Sequence, residues 1–131
     1  MKFDEFIKHV QSAGQFESRD AAIQAAKAVL ETLRDRIVGD EASQLAAQLP
    51  GDLADCLHGR EGENGDHFPI EEFYKRICDK EGVDAETAAM HTRAVFTVLQ
   101  SAVTPGEFAD VKSNLSEDYD ELFMTGTPAE R

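Results

Sequence analysis

The sequence predicts an all-α protein, a helical bundle built from two tandem, pseudo-symmetric repeats of about four helices each. Three observations predict it. Apolar residues recur at helical spacing, and no segment sustains the alternation and β-branched enrichment of a strand. Capping residues, prolines and glycines punctuate the chain at intervals suited to short helices. Residues 18–58 also lie over residues 84–124 at a constant offset of 66. The identities are Ala22, Ala28, Val29, Leu33, Glu41, Leu49 and Asp52, and the apolar pattern persists between them. Upstream the offset becomes 67: Phe3, Phe6 and Val10 face Ile70, Phe73 and Ile77, and the slip falls in a connector.

Repeat one spans 3–57. Phe3, Phe6, Ile7 and Val10 make one face of a first helix that ends before Gly14. Ser18 is the N-cap of a long second helix with Ala22, Ala25, Ala26, Val29, Leu30, Leu33 and Ile37 on its stripe. Gly39 is expected to end that helix and Asp40 to cap a third, which carries Leu45 and Leu49. Pro50 opens a short fourth, with Leu53, Cys56 and Leu57 inward.

Residues 58–68, with glycines at 59, 62 and 65 among mixed charges, read as a flexible linker. Repeat two spans 69–124. Pro69 precedes Ile70, Phe73, Tyr74 and Ile77, and Asp84 caps the second long helix with Ala88, Val95, Phe96, Leu99 and Val103. Thr104-Pro105-Gly106-Glu107 reads as a capping box, in which the Thr104 hydroxyl accepts from the Glu107 amide while Glu107 reaches back. Ser116 caps a last helix with Tyr119, Leu122 and Phe123, and residues 125–131 read as a frayed tail. The long helices should meet through Ala22, Ala25, Ala26 and Ala28 against Ala88, Ala89 and Ala94.

The 131 residues suit a single domain, and 41% apolar content supplies a core without staples. Thirteen bases against 26 acids give a net charge of −13, spread over both repeats. That excludes a basic nucleic-acid binder and disfavours anionic lipid. No apolar run reaches the roughly 18–20 residues of a membrane span, and the acidic start is unlike a signal peptide. A cytoplasmic protein is expected, with Cys56 and Cys78 as free thiols, Cys56 in the core and inert.

The segments Ala28–Arg34 and Glu41–Pro50, with Pro105–Val111 and Leu115–Phe123, resemble bacterial proteins of domain-of-unknown-function family 2267. The resemblance covers roughly residues 3 to 124, with Ser116 standing where a proline like Pro50 is expected. It implies a helical two-repeat protein in a bacterial cytoplasm and supplies no catalytic residue.

No phosphate loop, nucleophile elbow, dinucleotide fingerprint or zinc-protease motif occurs. No catalytic residue and no cofactor is expected. His58, Asp66 and His67 around the linker are the candidate metal ligands, but their spacing matches no known motif and a solvated linker is the expectation. His91 would be an interfacial imidazole or a half-exposed helix residue. Glu41, Glu107, Asp52 and Asp118 sit in first helical turns, where acids complement the helix dipole. Phe16, Phe68 and Phe108 fall at loops or helix starts and read as hydrophobic staples.

The function expected is a non-catalytic protein-interaction or regulatory module that acts on a protein partner or on itself, with neither nucleic acid nor membrane. The alternatives are a small-ligand binder or enzyme in the cleft between the repeats, and an acidic mimic of nucleic acid.

Overall fold

In a computed structural model, residues 1–123 are described; the expected tail at 125–131, and Met124, lie outside them. All regular structure among the described residues is helical: α1 (Phe3–Gly14), α2 (Arg19–Arg36), α3 (Gly39–Ala46), α4 (Gly51–Ala54), α5 (Ile70–Glu81), α6 (Ala85–Ala102), α7 (Pro105–Ser113) and α8 (Asp120–Phe123). Short 3₁₀ turns at Asp55–Leu57 and Glu117–Tyr119 follow α4 and precede α8.

Local chemistry sets most of the boundaries. The Ser18 hydroxyl accepts from the Ala21 amide at 3.1 Å, and the Asp84 carboxylate accepts from Thr87 at 2.8 Å, so both long helices begin at a side-chain cap. α5 ends at Gly82, whose φ of 71° is the left-handed conformation that glycine adopts without penalty. Its start is capped from a distance: Asp118 accepts from the Ile70 amide at 2.7 Å. Burial alone would raise the Asp118 carboxyl; the hydrogen bonds from Ser116 and Ile70 outweigh it and hold it below the ordinary value.

The four longer helices exchange partners. α1 packs on α2 and, most extensively, on α6, while α5 packs on α6 and α2. α2 and α6 also touch each other, and Ala22, Ala25, Ala26 and Ala88 are fully buried, whereas Ala89 is only partly so. Phe6, Ile7, Val29, Leu30, Leu33, Phe73, Ile77, Val95, Phe96 and Leu99 join one apolar cluster. Each such side chain contributes roughly 1.5–3 kcal/mol by leaving water. α3 lies on α7, the 3₁₀ turn after α4 covers α2, and α8 covers α6.

Three boundaries differ from the sequence reading. α2 ends at Arg36, and Gly39 opens α3 instead of closing α2. The reason lies in the segment 58–68. A Cβ on Gly39 would come within 1.7 Å of the Arg60 carbonyl oxygen, and one on Gly65 within 2.4 Å of the Ile37 carbonyl oxygen. Glycine stands at both positions because two backbones pass in contact there. Asp40 is therefore not the cap of α3; its carboxylate accepts from the Gly62 amide at 3.0 Å. Further ties hold 58–68 as a strap: Gly39 N to Glu63 O at 2.9 Å, Asp66 N to Asp35 O at 2.8 Å, and Arg60 to Glu63 and Asp66 at 2.7 and 3.1 Å. Finally, Ser116 donates to Asp118 instead of capping backbone, and the predicted last helix divides into a 3₁₀ turn and α8.

The strap ends at a buried cation. Arg36, 4% exposed, donates from Nε to the Phe68 carbonyl at 2.8 Å, from Nη1 to the Asn114 carbonyl at 3.3 Å and from Nη2 to Ser116 Oγ at 3.2 Å. Its guanidinium lies 5.0 Å from the Tyr119 ring centroid, and the Tyr119 hydroxyl donates to the same Phe68 carbonyl at 2.8 Å. The end of α2, the end of the strap and the loop after α7 are joined at this one side chain.

Candidate functional site

The convergence of side chains that helix chemistry does not explain is at the junction of α3 and α7. Glu41 and Glu107 each occupy the third residue of their helices. The helix dipole favours acids there, and α3 packs on α7. α7 begins as its capping box predicts, with the Thr104 hydroxyl accepting from the Glu107 amide at 3.1 Å. The reciprocal half of the box does not form. The Thr104 amide donates instead to Gln48 Oε1 at 2.8 Å, across from the end of α3. Gln48 thus takes the donor that Glu107 would have used, and the Glu107 carboxyl is left to face Glu41.

Glu107 is 7% exposed. Its Oε2 and that of Glu41 are both buried without a hydrogen-bond partner. One oxygen from each of Glu41, Glu107 and Asp110 lies within 4.8 Å of the others. Among the described residues, no Lys, Arg or His forms an ion pair with any of the three. Burial, then the hydrogen bond and charge of Glu41, then the charge of Asp110, push the Glu107 carboxyl up to about 8. Without a cation, these causes favour the protonated form of Glu107. Two close carboxyls of this kind hold a proton where an isolated glutamate would have lost it. All three donors are oxygens, the ligand set that suits hard cations.

The other predicted residues are placed separately. His58 Nδ1 is 2.7 Å from Glu61 Oε2, Asp66 pairs with Arg60, and His67 is exposed. The candidate ligands His58, Asp66 and His67 are not gathered around a common point among the described residues. Glu61, bonded first to His58 and then to the turn amides, is held down to about 2. His91 is more enclosed than a half-exposed helix residue: its side chain is 15% exposed, Nδ1 is 3.0 Å from the buried Glu81 carboxylate, and the ring lies 4.5 Å from Phe16. This pair ties the end of α5 to α6. Cys56 is a buried free thiol, raised first by desolvation and then by the charge of Glu31, and Cys78 is a half-buried one. Phe68 is buried under the Arg76 guanidinium, 3.9 Å from its ring centroid, and Phe108 packs on Phe123 at 5.0 Å.

Sequence reasoning found Glu41 and Glu107 singly, as helix-start acids, and missed them as a pair. The signal was present in the 66-residue offset, which carries the same acid at corresponding places in both halves. Asp110 gave no signal, because its counterpart at that offset is Gln44.

Among the described residues, no helix is long and apolar enough to cross a membrane. Comparison with curated proteins finds no match. A family model described as "Uncharacterized conserved protein (DUF2267)" matches residues 3–122. Covered over nearly all of its length, the chain belongs to the DUF2267 family.

Proposed function

We propose that the chain is a non-catalytic protein-interaction or regulatory module of the cytoplasm, built by duplication of one helical unit. The observation that carries this reading is the packing of the two long helices. α2 touches α6, and Ala22, Ala25, Ala26 and Ala88 are fully buried, which favours a packed interface over a substrate cleft. The histidine that a cleft enzyme would use, His91, is engaged by Glu81 and Phe16. Duplication is supported by the succession of helix lengths, 12, 18 and 8 residues in the first half and 12, 18 and 9 in the second. The exchange in which α1 packs on α6 and α5 on α2 supports it too.

The test combines light scattering across a concentration series with affinity capture from cell extract, using the intact chain. Self-association, or one partner enriched reproducibly and bound again by the purified chain, is the expected result. A monomer that enriches no partner overturns the reading.

A further inference from the structure

We propose that Glu41, Glu107 and Asp110 bind a hard divalent cation of the calcium or magnesium type at the junction of α3 and α7. The inference is independent of the interaction reading above. It rests first on geometry: the three oxygens lie within 4.8 Å of one another. Two ligands on opposite sides of one calcium ion are separated by about twice the roughly 2.4 Å ion–oxygen distance. The three carboxylates are thus within the span that one ion bridges, and small side-chain adjustments suffice to bring them onto it.

The second observation is independent of that proximity. Glu107 is more than nine-tenths buried, its carboxyl lies in the cluster, and its Oε2 has no hydrogen-bond partner. Buried acceptors without a partner are uncommon in folded proteins and call for a physical account. A shared proton needs only the two glutamates. It leaves unexplained why Asp110, one turn further along α7, adds a third negative charge with no base opposite. A doubly charged ion balances that charge. Asp110 is exposed and Glu41 partly so, which leaves a side open for the waters that complete the coordination shell.

The test is titration calorimetry of chelator-treated, full-length chain with calcium chloride and with magnesium chloride. The wild-type chain should bind at least one of the two ions in a single class of site. Glu107→Gln should weaken binding by about tenfold or more, since losing a direct ligand costs at least what losing an outer-shell partner does. Asp20→Asn, which removes an exposed charge on α2, should leave the affinity unchanged. Asp110→Asn, at an exposed position, serves as the ligand variant should Glu107→Gln fail to fold. No binding of either ion by the folded wild-type chain at millimolar concentration overturns the proposal. So does a ligand variant that binds as tightly as the wild type, which would mark diffuse attraction to an acidic surface.

Discussion

Arg36, which ends α2, and Glu107, near the start of α7, are both buried ionisable residues, and they are treated in opposite ways. Arg36 closes α2 with three hydrogen bonds and an aromatic face. Glu107 faces another acid and has an oxygen with no partner. The two residues are about equally enclosed, at 4% and 7% exposure. Burial alone therefore does not separate them; satisfaction does. A buried charge whose donors are all used is a fixed joint. A buried carboxyl pair that lacks a donor responds to whatever proton or ion arrives.

The sharpest way to break the comparison is Arg36→Met, which keeps most of the apolar stem and removes every donor. The carbonyl of Asn114 and the hydroxyl of Ser116 lose their cationic partner, and the three segments lose their common tie. Buried polar networks broken in this way cost roughly 3–5 kcal/mol. Chemical denaturation should show that loss with little change in helix content. A loss under about 1 kcal/mol would put Arg36 in the same category as an exposed ion pair.

The next variant tests whether the strap connects the two places. Gly39 lies between Arg36 and Glu41, and its α-carbon faces the Arg60 carbonyl. In Gly39→Ala the added methyl meets backbone, so the strap must move and its bonds to Gly39 and Asp40 must lengthen. A cost of about 2–3 kcal/mol is expected, at the upper end of overpacking penalties. Faster amide exchange at Gly62 and Asp66 should accompany it.

What the sequence discloses divides along the same line. Ser18 and Asp84 were readable as caps because their partners lie three residues away. The alanine stripe of α2 was readable because helical periodicity is local. Arg36 gave no signal: its partners are 32, 78 and 80 residues distant, and an arginine in the last turn of a helix already has a sufficient explanation in the dipole. The strap was misread for a related reason. Glycine content looks the same whether it frees a chain or lets two backbones touch, as at Gly39 and Gly65. The capping box at Thr104 was half right, since nothing near it in sequence announces that Gln48 would take its amide. The candidate site required long-range pairing of two locally explicable acids.

Glu107→Gln sharpens the comparison from the opposite side, because it should stabilise. The folded-state carboxyl is raised from 4.5 to about 8, so folding favours the protonated form. The associated stability is fully present below about pH 4.5 and is lost as pH climbs toward 8 and through it. In the cation-free wild-type chain, the melting temperature should therefore fall across that window. Glutamine cannot ionise, so the variant should lose much of this slope and exceed the wild type by about 1–2 kcal/mol at pH 8, the benefit being limited by Glu41, which stays buried in part. Equal slopes in the two proteins would show that the pair does not control the pH response.

The smallest expected effect distinguishes a satisfied network from a fragile one. The Phe68 carbonyl receives two donors, Arg36 Nε and the Tyr119 hydroxyl, both at 2.8 Å. Tyr119→Phe removes one of them and leaves the other, so no buried acceptor is orphaned, and the ring keeps its edge contact with Phe73 at 5.7 Å. Loss of a single redundant hydrogen bond costs about 1 kcal/mol or less. The variant should melt only slightly below the wild type, and Arg36→Met combined with it should cost more than the two losses added separately, because the carbonyl is then left with no donor. A strictly additive double variant would mean that the two donors act independently, and that the Arg36 joint owes its strength to the carbonyl of Asn114 and the hydroxyl of Ser116 instead.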